Sequence, residues 1–172
     1  LTASYPGRID SSLPNVLKGI RSTQWPGRLQ SLHLRYSKTE DPLPILLDGA
    51  HNSQAAKELQ KYLQQTYGDA SKTFIIALTK GKDINEVLKE LKISLRDKII
   101  LTTFGAVDGM PWIKANDPQD IKSVAVEYTQ DITIENDLTK VFDMVKNNGN
   151  IVVCGSLYLV GEVLKLQNEQ SV

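Results

Sequence analysis

Short unbroken apolar runs alternate along this chain with longer stretches in which apolar residues recur every three or four positions, and the two rhythms predict strands and helices in turn. Leu32 and Leu34 alternate with polar neighbours as in a half-buried strand, and Ile45, Leu46 and Leu47 form a short bounded run that reads as a second. Ala55, Ala56, Leu59, Tyr62, Leu63 and Tyr67 then recur at helical spacing, with Asn52 or Ser53 as N-cap and Gly68 as the stop. The run from Thr73 to Leu78 is apolar on both faces, as a strand covered on both sides must be. Asp83 with Glu86 makes a capping box for a helix striped by Ile84, Val87, Leu88, Leu91 and Leu95. A strand follows over Lys98 to Thr103, then a long loop from Phe104 to Asp117, and Pro118 opens a short helix. The alternation of Val124, Val126 and Tyr128 predicts a further strand. Leu138, Val141, Phe142 and Val145 stripe another helix that stops at Asn148 and Gly149, Ile151 to Cys154 is a fully apolar strand, and an amphipathic segment from Leu157 to Leu166 closes the chain. Upstream, residues 1–24 are turn-rich, although Leu13, Val16, Leu17 and Ile20 could line one short helix.

Strands alternating with helices imply βαβ units, and several fully apolar strands imply a mostly parallel sheet with helices on both faces. The expected fold is α/β, a Rossmann-like doubly wound sheet of about six strands, with Ile75, Ile76, Ile99, Leu101, Val152 and Val153 in its core. In such sheets ligands sit outside the carboxyl ends of the strands, which directs attention to the residues after the second, third and last strands.

The 172 residues suffice for one domain with a real core, and exclude a multidomain enzyme. Twenty Lys and Arg balance 20 Asp and Glu, so no net charge draws the surface to nucleic acid or an anionic membrane. No apolar run reaches the roughly 18 residues a membrane span needs. The lone Cys154 excludes an internal disulfide framework and a multi-cysteine zinc site, and inside an apolar strand it reads as an inert core residue in a reducing, cytoplasmic setting. The start at Leu1, without Met or leader, is expected of a piece of a longer protein.

Three clusters carry candidate chemistry. Asp48, Gly49, Ala50, His51 and Asn52 lie between a buried strand and a helix start, offering a carboxylate, an imidazole and an amide at the ligand rim; helix capping by Asp48 and Asn52 with His51 on the surface is the competing reading. Trp25, Pro26, Gly27 and Arg28 form a turn that aims a fork-shaped guanidinium, suited to phosphate or carboxylate. Gly155, Ser156 and Leu157 make a strand-to-helix turn with free amides and a hydroxyl, equally compatible with Ser156 as a simple cap. Gly81-Lys82 lacks the earlier glycine and following hydroxyl of a P-loop, and no glycine fingerprint follows the first strand, which weakens an oxidoreductase reading. His33 and His51 are too far apart for a metal pair, so no metal ligands are assigned. Trp25 and Trp112, both in loops, could each pack at a hinge or serve as a ligand platform, and packing is the expectation.

Taken together, Trp25 to Gln30, Leu47 to Asn52 and Val153 to Glu162 resemble the carboxyl-terminal domain of the folylpolyglutamate synthase and dihydrofolate synthase family, within the Mur ligase superfamily, over about Thr23 to Leu164. The resemblance implies a domain over 25–172, with 1–24 as the lead-in from an N-terminal P-loop ATPase domain outside this chain. It implies an ATP-dependent ligase adding L-glutamate to a pteroate or folate carboxylate through an acyl phosphate, with dihydrofolate synthase favoured because Asn52 follows His51, and folylpolyglutamate synthase as the alternative. By resemblance Arg28 meets the ATP phosphates, Asp48 the ribose, and His51, Asn52 and Ser156 line the catalytic cleft. Mg²⁺ ligands are then expected mainly on the N-terminal domain, the fragment alone is expected to be inactive, and the parent is expected to be a cytoplasmic monomer, a mitochondrial pool being compatible. A binding module that senses a nucleotide or amino acid without chemistry is the reading from another class.

Overall fold

The computed structural model describes residues 25–37 and 41–169. The short helix considered around Leu13 to Ile20 lies outside them. Six strands, β1 (Gln30–Leu34), β2 (Leu43–Leu47), β3 (Thr73–Ile76), β4 (Lys98–Leu101), β5 (Ile132–Ile134) and β6 (Ile151–Cys154), form one sheet in the order β1-β2-β6-β3-β4-β5. Only the β1–β2 pair is antiparallel. Among the described residues five helices follow β2 to β6 in turn: α1 (Ser53–Tyr67), α2 (Ile84–Leu91), α3 (Pro118–Ala125), α4 (Leu138–Val145) and α5 (Leu157–Glu169).

The period-two geometry of the strands sorts the core into two layers. Leu46, Phe74, Ile76, Ile99, Leu101, Val152 and Cys154 face α1, α2 and α3 through Leu59, Leu63, Leu88 and Ile121. Ile45, Leu47, Ile75, Ile100, Ile151 and Val153 face α4 and α5 through Phe142, Val145, Leu159 and Val163. The doubly wound α/β expectation holds, and each of the six expected core residues is fully buried.

The position of β6 shapes the carboxyl edge of the sheet. The chain leaves β2 and β3 toward one face, into α1 and α2, but leaves β6, which lies between them, toward the other face, into α5. Loops that part to opposite faces open a crevice at the carboxyl edge of the sheet, the switch point where such folds bind ligands.

Three expectations are corrected. Val124, Val126 and Tyr128 do not form a strand. Asp117 caps α3 by accepting from the Gln119 amide, Pro118 sits in its first turn, and the helix runs to Ala125. Ile121 and Ala125 are its buried residues, and Val124 and Tyr128 pack on the same core, so the spacing of three and four was helical and the alternation coincidental. The strand in this part of the chain is instead β5, Ile132–Ile134, three half-buried residues at the sheet edge, too short to show a pattern. Second, Leu95 lies outside the stripe of α2: the helix stops at Leu91 because Lys92 turns left-handed (φ 50°), and Leu95 is exposed. Third, Trp25 and Trp112 do not pack, being 68% and 71% exposed.

Candidate active site

The β2–α1 segment is held by its own polar groups. Asp48 extends the sheet, its amide donating to the Val153 carbonyl at 2.9 Å, and its carboxylate is then spent on backbone: Oδ1 accepts from Ala50 N at 2.8 Å and Oδ2 from Leu29 N at 2.9 Å. The second bond crosses to the Trp25–Arg28 turn, which Gly49 N also grips by donating to the Gly27 carbonyl at 2.7 Å. Two clusters remote in sequence thus become one. Asp48 is buried, not a rim residue, and burial pushes its carboxyl above the ordinary value of 3.8, while the bonds from Leu29 and Ala50 and the charges of Arg28 and His51 pull it back.

Asn52, not Asp48, caps α1: its Oδ1 accepts from Ala55 N at 2.9 Å. His51 lies between them with Nδ1 2.8 Å from the Gly49 carbonyl. A carbonyl can only accept, so Nδ1 carries the hydrogen, which leaves Nε2 as the ring nitrogen able to accept.

Across the crevice, Gly155 turns β6 into α5 with φ +100°, and a side chain there would press on the Ala77 carbonyl, its Cβ only 2.6 Å from that oxygen. The turn buries Ser156, whose Oγ accepts from Tyr158 N at 3.1 Å and lies 3.5 Å from Thr79 Oγ1. Gly49 makes the close approach of the two loops possible, since a Cβ at that position would overlap the Leu157 side chain.

Two adjoining cavities result. The larger, about 450 Å³, is lined by Arg28, Leu29, Asp48, His51 and Asn52 with the first turns of α1. The smaller, about 280 Å³, is lined by His51, Thr79, Lys82, Ile113, Ser156 and Tyr158. His51 belongs to both. Every expected site residue therefore lines one of them: Arg28, Asp48, His51 and Asn52 the first, His51 and Ser156 the second. Thr79, Lys82 and Ile113 were not singled out from sequence. Thr79 directly follows the third strand run, a position the fold class marks, but a threonine and a lysine in a loop carry no pattern of their own.

Among the described residues no three His, Cys, Asp or Glu side chains gather as a metal cage. Nor is any described helix long and apolar enough to cross a membrane.

Comparison with known proteins agrees with this architecture. Residues 30–166 match the family model described as dihydrofolate synthetase, C-terminal domain. A dihydrofolate synthetase of Saccharomyces cerevisiae is 44% identical over 168 residues, covering 93% of this chain and 39% of that protein. A probable folylpolyglutamate synthase of the same yeast is 37% identical over 164 residues, covering 91% and 38%. Among solved structures, folylpolyglutamate synthase from Thermotoga maritima superposes with a TM-score of 0.70 at 19% identity, over 94% of this chain and 36% of its own. The E. coli FolC complex with DHPP and ADP gives a TM-score of 0.67 at 18% identity, over 95% and 36%. At that identity the superpositions establish the fold. The chain spans about two fifths of the length of the curated relatives it matches. On the match over residues 30–166 and the three motifs that meet at the β2–β6 crevice, this chain belongs to the dihydrofolate synthetase C-terminal domain family.

Proposed function

We propose that this domain supplies one side of the active site of an ATP-dependent ligase that joins L-glutamate to dihydropteroate. The observation that carries the reading is the pair of cavities meeting at His51, one beside an exposed guanidinium and the other beside a hydroxyl pair and an ammonium. The 44% identity to a dihydrofolate synthetase supports the first glutamate addition. The 37% identity to a probable folylpolyglutamate synthase supports later additions as the second reading.

The chemistry runs in two steps. A pteroate carboxylate oxygen attacks the terminal phosphorus of ATP and ADP leaves; the glutamate amine then attacks the acyl carbon, phosphate leaves, and the nitrogen loses a proton. In the first step anions approach one another, so fixed positive charge must meet them. Arg28 does this from the larger cavity, its guanidinium exposed and its backbone held by the Trp25 turn. Asp48, with one lone pair left on each oxygen, meets the ribose hydroxyls, and Asn52 lines the same cavity. In the second step the Nε2 lone pair of His51 takes the amine proton, while Ser156, Thr79 and Lys82 hold the amino acid. Mg²⁺ would neutralise phosphate oxygens; its ligands, with the P-loop, belong in this reading to an N-terminal domain reached through residues 1–24.

Leu29 and Leu157 line these cavities and are exposed, as are Trp25, in the Arg28 turn, and Trp112, next to Ile113 in sequence. In our reading the N-terminal domain closes on these residues and excludes water from the acyl phosphate, so the isolated domain turns nothing over. The full enzyme works as a cytoplasmic monomer, which suits a buried, unreactive Cys154. The test is the full-length protein assayed with dihydropteroate and a folate monoglutamate as competing acceptors. Preference for dihydropteroate is expected; preference for the monoglutamate favours the second reading, and no ATP-dependent glutamate transfer to either overturns both.

A further inference from the structure

The third motif ends in Glu162, a residue the mechanism above leaves unused. It lies one helical turn beyond Tyr158 on α5, on the same face. Tyr158 packs its ring on Phe104 with centroids 5.3 Å apart, and Glu162 Oε1 accepts from the Gly105 amide at 2.6 Å. Helix α5 therefore grips the start of the β4–α3 loop, residues 102–117, at two points one turn apart. The far stem of that loop is held by the segment that follows β3: Lys80 N donates to the Lys114 carbonyl at 2.8 Å, Asn116 N to the Leu78 carbonyl at 2.7 Å, and Thr79 bridges Ala115. Between the two stems, Ile113 forms a wall of the smaller cavity, facing Ser156 and Lys82.

The two grips differ in kind. Phe104 is buried in the core and belongs to the fold. Glu162 is half-buried and Gly105 exposed, so their bond contributes little to packing and acts on where the loop sits. The distance from Glu162 Oε1 to where a Cβ would stand on Gly105 is 3.2 Å, which leaves little room for a side chain under the carboxylate.

We infer that Glu162 is a positioning residue for the amino-acid end of the active site: by holding Gly105 it sets the 102–117 loop, and through Ile113 the width of the cavity at Ser156 and Lys82. The inference rests on the glutamate-ligase reading above. Losing the bond loosens the attacking amino acid and leaves the nucleotide cavity alone, because none of the residues lining that cavity belongs to the loop.

The experiment compares Glu162→Ala and Glu162→Gln in the full-length ligase, varying L-glutamate, ATP and dihydropteroate separately, with hydrogen exchange followed at the amides of residues 105–113. Glu162→Ala should raise the KM for L-glutamate about tenfold, the scale of one hydrogen bond to a charged group, with kcat and the KM for ATP within about twofold. Exchange at Gly105 and along the loop should quicken in the same variant. Glu162→Gln, whose amide oxygen can still accept from Gly105, should stay within about threefold of wild type on every readout. An unchanged glutamate KM in Glu162→Ala, equal losses in both variants, a parallel rise in the KM for ATP, or unaltered loop exchange would each overturn the inference. A wild-type enzyme that transfers no glutamate defeats the ligase reading instead, and loop exchange in the same samples still decides whether Glu162 anchors the loop.

Discussion

Asp48 joins the two motifs that build the larger cavity, and its removal should be felt first in stability. Asp48→Ala strands the Ala50 amide, which is buried, at about 1–3 kcal/mol. The Leu29 amide, on an exposed turn, can be rehydrated and loses only the net worth of its bond, about 0.5–1.5 kcal/mol. Some of this is recovered as Leu29, held at φ 44°, relaxes. The expected total is about 2–4 kcal/mol, on the order of 4–16 °C in Tm for a chain of this size. Asp48→Asn keeps one accepting oxygen and should cost about half as much.

The pH dependence is the sharper part. Because burial raises the Asp48 carboxyl above 3.8, the folded state binds its proton more tightly than the unfolded chain does. The contribution of this group is therefore fully present below 3.8 and is lost as pH rises through the folded value, so the advantage of wild type over Asp48→Asn should shrink over that window and stay flat above it. Urea unfolding of both proteins from acid to neutral pH measures it, other carboxyls cancelling in the difference. An advantage that grows with pH would mean the amide bonds and neighbouring charges outweigh burial. A Tm for Asp48→Ala within a degree of wild type would dismiss the clamp altogether.

Arg28 is exposed, so Arg28→Ala should leave Tm within about a degree while weakening ATP binding to the full-length enzyme about 10–100-fold; Arg28→Lys should recover only part, since an ammonium lacks the planar fork. Calorimetric titration with ATP checks this, and unchanged affinity would take Arg28 out of the phosphate site. Two glycines in the third motif should respond in opposite directions to alanine. Gly155→Ala, with its φ of +100° and the Ala77 carbonyl in the way, should cost more than about 2 kcal/mol. Gly161→Ala, inside α5 with open space beside it, should gain about 0.5–1 kcal/mol in the same unfolding assay. Burial pushes the Cys154 thiol far up, so alkylation of the native protein should track the unfolding rate; labelling on mixing would show the strand is not closed.

Much of this protein was legible in the chain because burial on two faces leaves a mark at short range. The runs at Thr73–Ile76, Lys98–Leu101 and Ile151–Cys154 are apolar at nearly every position, as covered parallel strands must be, and Asn52, Asp83 and Asp117 announce helix starts through bonds that reach only two or three residues ahead. The edge strand Ile132–Ile134 escaped because a strand half exposed needs no such run, and the helix through Val124 passed for one because a three-residue alternation fits either period. Ordering the strands, and so opening a crevice at β6, depends on contacts between segments a hundred residues apart, for which no local rhythm exists.

The site divides along the same line. Asp48, His51, Arg28 and Ser156 carry chemistry that residue type and a place after a strand or in a turn suffice to suggest. That Asp48 is spent on clamping two loops, that His51 lines two cavities, that Thr79 and Lys82 line the second of them and that Glu162 holds Gly105 was decided only when folding brought the ends of β2, β3 and β6 and the 102–117 loop to one edge. Hydrogen bonds and cavities are properties of distance in space, and a sequence records only distance along the chain.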